Sequence, residues 1–148
     1  DLIGHVRPLV INHLLHHHGP AEFRDTTVRR LARKIAPATI DELIAVMQAD
    51  HLGRPPLVSA ETVVRLDHLR TAARRLTLEH AAPKPIILGR HLISLGLEPG
   101  PQFKPALEAA FESQLDGAFG DEAGGLEWMR NYLRAHPPVL TSPKPISP

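Results

Sequence analysis

Three histidines, His13, His16 and His17, stand at spacing i, i+3 and i+4. On a helix they share a face and could converge on a metal ion. The same residues near a helix C-terminus also suit the macrodipole with no metal at all. Further on, Arg29, Arg30, Arg33 and Lys34 form the densest positive cluster in the chain. Such charges fit phosphate oxygens of a nucleic acid, or else make a solvated helix face. A third candidate is a turn and a helix start in KPIILGRHLISLGLEPGPQFKPALEAAFESQLDG, from Lys84 to Gly117. Gly96 reads as the C′ residue of a short helix, Pro99-Gly100 as a type II turn, and Pro101 as the first position of a longer helix. Unpaired N–H groups beside Gly100, with Lys104 in the first turn and Arg90 and His91 on the preceding helix, would receive an anion such as a phosphate.

The elements that must position these groups are all helical by pattern. Ile3, Val6, Val10 and Leu14 form an apolar stripe, with Pro8 near the start and Gly19-Pro20 as a stop. Asp25, Thr26 or Thr27 is placed to cap a helix running to Ile35, with Val28, Leu31 and Ile35 inward. Thr39 and Glu42 make a capping box for a helix ending at Gly53, on which Leu43, Val46, Met47 and Asp50 lie near one stripe and Arg54 is within reach of Asp50. The longest helix is expected from Ser59 to His80, burying Val63, Leu66, Leu69, Ala73 and Leu76, with Arg65, Arg70, Arg74 and Arg75 outside that stripe. Phe103, Leu107, Ala110, Phe111 and Leu115 face inward on the helix after the turn, and a last helix spans Asp121 to Arg134. From His136 onward the chain is Pro-rich and aperiodic, which predicts an extended or disordered tail. No alternating run or β-hairpin turn signal occurs. The fold class expected is all-α.

Composition sets further bounds. The 148 residues, 43% hydrophobic, suffice for one modest domain or two small helical ones. With no cysteine, disulfides and thiolate metal sites are excluded, which fits a cytoplasmic protein. No apolar run is of membrane-spanning length. The net charge of +1 hides an asymmetry: the stretch from Arg24 to His91 is basic and the one from Glu98 to Glu127 acidic. RNA would therefore meet the start of the second hairpin helix rather than its acidic length. Asp1 reads as lying within a helix, which predicts a fragment of a longer protein. The chain contains no Walker loop, GxSxG elbow, HExxH helix or GxGxxG fingerprint.

The run GRHLISLGLEPGPQFKPALEAAFESQLDG resembles the C-terminal body and tail of bacterial tRNA nucleotidyltransferases, the CCA-adding and poly(A) polymerase family, especially members with an HD domain. VRRLARKIAPATIDELIAVMQADHLGRPP, from Val28 to Pro56, resembles the segment that precedes it there. VRPLVINHLLHHHG is similar to the later metal-binding helix of HD-domain phosphohydrolases, which makes His13 the matching metal ligand. The chain has no HxxxHD motif and reads His13-Leu14 where some relatives read His-Asp, so the other ligands would lie outside it.

The resemblance implies an HD-like helical remnant over residues 1–56, an RNA-binding helix-hairpin-helix body and tail over 57–135, and the Pro-rich tail over 136–148. It implies a parent whose upstream nucleotidyltransferase domain adds nucleotides to an RNA 3′ end with a divalent metal, Mg or Mn. This chain would carry no catalytic residue. It would hold tRNA or another RNA through Arg29, Arg30, Arg33, Lys34, Arg90, Gly100 and Lys104. Part of an HD-type phosphohydrolase, or a helical interaction module without RNA, are the alternatives; no membrane partner is expected.

Overall fold

The computed structural model describes residues 1–15, 23–53 and 59–137, and among these every regular element is a helix and no strand occurs. Seven helices occur: α1 (Leu2–Asn12), α2 (Asp25–Ile35), α3 (Ile40–Leu52), α4 (Ala60–Arg75), α5 (Gly89–Ser94), α6 (Phe103–Leu115) and α7 (Glu122–Ala135). They sort into two compact units, 1–84 and 85–148. The division falls at Lys84/Pro85 instead of the expected 56/57, because α4 packs on α2 and α3 rather than leading away from them.

In the first unit α3 is the central element. Its capping box forms as expected: the Glu42 carboxylate accepts from the Thr39 N–H at 2.8 Å, and Thr39 Oγ1 accepts from the Glu42 N–H at 3.2 Å. The helix then buries Ile40, Leu43, Ile44 and Met47 against Val28, Leu31 and Ile35 of α2 and Leu66 and Leu69 of α4. α4 stops at Arg75, short of His80, where Thr77 takes a positive φ of 56° and the Leu78 N–H donates to the Ala73 carbonyl at 2.9 Å. Val63, expected inside, is exposed, and the neighbouring Thr62 is buried at that turn instead. His51, at the end of α3, is buried, and its Nε2 accepts from the Ser59 N–H at 3.0 Å.

At the start of α1 the Asp1 carboxylate accepts from the Ile3 N–H at 3.1 Å. One further expectation fails at a helix start. α2 has no side-chain cap: Arg24 holds the N-cap position and Asp25 is the first helical residue. The apolar stripe of α1 is also misplaced by the sequence pattern. Leu9 and Asn12 are buried, whereas Ile3, Val6, Val10 and Leu14 are exposed. The edge that docks on α2 and α3 is a narrow one set by Leu9, and the wider apolar face points outward.

The second unit is built on Leu92, Ile87, Ala106, Ala110, Phe119 and Met129. α5 ends at Gly96, whose φ of 87° and a 3.0 Å bond from the Leu97 N–H to the Leu92 carbonyl complete the expected C-terminal motif. Gly117, with φ of 84°, closes α6 in the same way. Asp121 caps α7 through the Gly124 N–H at 2.8 Å. His91 is buried and reaches back across α5, its Nδ1 accepting from the Leu88 N–H at 2.9 Å while Nε2 lies 3.5 Å from Glu122 Oε2. No helix among the described residues is long and apolar enough to cross a membrane.

Candidate nucleic-acid interface

α2 sorts its residues sharply. Val28, Leu31, Ala32 and Ile35 are buried, and Arg30, Arg33 and Lys34 are exposed on the opposite side, with Arg29 half-buried on one flank. At roughly 100° per residue, Arg30 and Arg33 sit at the centre of the outer face. The one acid on this helix is Asp25, and its charge is already answered. Arg75, from the last turn of α4, grips it with both guanidinium nitrogens, Nη1 at 3.0 Å from Oδ2 and Nη2 against Oδ1. Arg29 Nη2 lies 4.0 Å from the same carboxylate. The hydrogen bond from Arg75 holds the Asp25 carboxyl below the usual carboxylate range, with the charges of Arg75 and Arg29 acting in the same direction. Exposed Arg74 adds charge at the adjoining end of α4.

A shallow cleft of about 270 Å³ opens beside this pair, lined by Phe23, His68, Thr71, Ala72 and Arg75. It places an aromatic ring, an imidazole, a hydroxyl and a fixed guanidinium next to the most basic helix. Sequence reasoning missed it, because Phe23 and His68 are 45 positions apart and neither belongs to a motif. The only available signal was that Arg75 stood off the core stripe of α4.

The expected hairpin site is arranged differently from its sequence pattern. The turn lies two residues later than Pro99-Gly100: the Phe103 N–H donates to the Gly100 carbonyl at 3.0 Å, around Pro101 and Gln102. Pro101 supplies the fixed φ, and Gln102, at φ −69° and ψ −19°, needs no glycine. Gly100 is accordingly outside the left-handed region, and the Gln102 amide folds over it, with Oε1 2.5 Å from where a Cβ would stand. Gln102 also donates from Nε2 to the Glu98 carbonyl at 2.8 Å. Lys104 is 83% exposed and lies 4.0 Å from Glu108, one turn on. Arg90, exposed on α5, places Nε 3.2 Å from His91 Nε2.

No protein-family model, curated protein or solved structure matches the chain.

His13 caps the C-terminus of α1, with Nδ1 2.6 Å from the Val10 carbonyl. A carbonyl oxygen only accepts, so Nδ1 is the donor in that bond. His16, His17 and Arg54 lie outside the described residues. Among the described residues, no group of three or more His, Asp or Glu side chains is placed to hold a metal ion. Those residues alone do not make His13 part of a metal centre.

Proposed function

We propose that this chain positions RNA, as the C-terminal helical part of a tRNA nucleotidyltransferase-like protein whose chemistry is carried by an upstream domain and its divalent metal. The observation that carries the reading is the outer face of α2, where Arg30, Arg33 and Lys34 are exposed together and the neighbouring acid, Asp25, is neutralised by Arg75. Phosphates bound there would fix the register of the RNA, and the Phe23–His68 cleft would take an unstacked base against an aromatic face. The order and spacing of the two segments that resemble the nucleotidyltransferase body support the same reading.

The experiment is tRNA binding measured across a salt series for the wild type and for Arg30→Gln combined with Arg33→Gln. The double substitution should weaken binding for every sequence alike. It should also reduce the slope of log affinity against log salt by roughly two, about one per lost phosphate contact. An unchanged slope, or no salt-dependent binding in the wild type, refutes the reading.

A further inference from the structure

His91 is 5% exposed, and three groups converge on its two ring nitrogens. The Leu88 N–H points at Nδ1 from 2.9 Å, Arg90 Nε lies 3.2 Å from Nε2, and Glu122 Oε2 lies 3.5 Å from that same nitrogen. A neutral imidazole offers one lone pair and a cationic one offers none, yet two N–H groups face this ring. The backbone N–H makes the shorter contact, whereas Arg90 is exposed and free to turn to water. Nδ1 is therefore the acceptor, and Nε2 carries the proton.

That assignment leaves two donors, Arg90 Nε–H and His91 Nε2–H, side by side at 3.2 Å. Glu122 stands beside them without satisfying either. Its 3.5 Å to Nε2 is longer than the about 2.7–3.2 Å of an N–H···O bond, and among the described residues Arg90 makes no ion pair. The Glu122 side chain is 60% exposed, so it can swing out. A phosphate brings several anionic oxygens to such a pair at once, which a single carboxylate held on α7 at this distance does not. We infer that Arg90 and His91 form a phosphate-binding pair and that Glu122 is its cover, an internal anion that an incoming phosphate displaces. The site is made by side chains and not by the start of α5, where the Leu88 N–H is already taken.

The test uses the whole chain and begins with the ¹⁵N resonances of the His91 ring, which should report a proton on Nε2. A proton on Nδ1 overturns the inference, because Nε2 would then accept from Arg90 and no donor pair would exist. Inorganic phosphate is next titrated at constant ionic strength against the same resonances. Glu122→Gln should tighten it about tenfold, since a like charge at the site is removed, and Arg90→Gln in that background should remove the gain. No tightening, or a gain that survives Arg90→Gln, overturns the inference. A tRNA titration across a salt series separates the sources of the phosphate. A slope of log affinity against log salt steeper by about one in Glu122→Gln assigns the site to an RNA backbone, and an unchanged slope assigns it to a free phosphate compound. Only this last arm rests on the RNA reading, and that reading fails separately, when Arg30→Gln with Arg33→Gln leaves the slope unchanged.

Discussion

Gly125 is packed closely against buried Ile87 and Phe119 in the second unit, and Gly125→Ala tests that packing. A methyl added there would stand 2.7 Å from Ile87 Cδ1, 2.8 Å from Ile87 Cγ1 and 3.1 Å from Phe119 Cε2. In an exposed helix interior, glycine to alanine gains about 1 kcal/mol. Here Ile87 is buried, and the Phe119 ring is among the atoms closest to the new methyl, so overpacking of about 1–3 kcal/mol opposes the gain. The gain is also reduced because Gly125 lies in the first turns of α7, close to its cap. The net expectation is a destabilisation of about 1 kcal/mol, a fall in Tm of about 4–8 °C for a unit of this size. Trp128 is the chain's one tryptophan and lies in this unit, 6.0 Å from Phe119, so its fluorescence reports the relevant transition. Ile87→Val removes the atom nearest the clash. Alone it should cost about 0.5–1.5 kcal/mol, but in the Gly125→Ala background it should cost nothing or stabilise. A Tm equal to or above wild type for Gly125→Ala, or strict additivity of the two changes, refutes the reasoning.

The Glu42 carboxyl is held below its usual value chiefly by the hydrogen bond with His5 at 2.9 Å, and then by the Thr39 amide and hydroxyl. Its contribution is therefore fully present above the ordinary Glu pKa of about 4.3 and is lost as pH falls through the lowered folded value. Urea midpoints measured across the acid range should show Glu42→Gln flattening that decline. Met47→Ala should cost about 2–5 kcal/mol in the first unit, read from helical circular dichroism, because the side chain is fully buried. Arg90→Gln with Lys104→Gln should lower the salt slope of tRNA binding by about one to two units if the hairpin also contacts phosphate, and by nothing if α2 carries the interface alone.

Local signals were legible in the sequence wherever the cause was local. Thr39 with Glu42 as a capping box and Gly96 as a helix end act within a few residues, and each is where the pattern placed it. Orientation was less legible. The apolar face of α1 looked like core because hydrophobic spacing records an amphipathic helix without saying which side meets the unit, and Leu9 decided that through its neighbours. The turn after α5 was misread because two adjacent Pro-containing pairs compete, and Pro101 prevailed with a conformation that Gln102 adopts freely. On the candidate interface, the exposure of Arg30, Arg33 and Lys34 followed from the α2 pattern. The Asp25–Arg75 pair and the Phe23–His68 cleft did not, since both depend on how α4 docks.

The Asp25–Arg75 pair has a kinetic consequence. It joins positions 50 residues apart, and closing a loop of that length costs roughly 3–4 kcal/mol of chain entropy before any contact repays it. The second unit has no such requirement, since its helices meet their neighbours in sequence, α5 with α6 and α6 with α7. It should be the faster of the two to fold. The basic face on α2 then matures late, reaching its final charge pattern only when α4 arrives to neutralise Asp25.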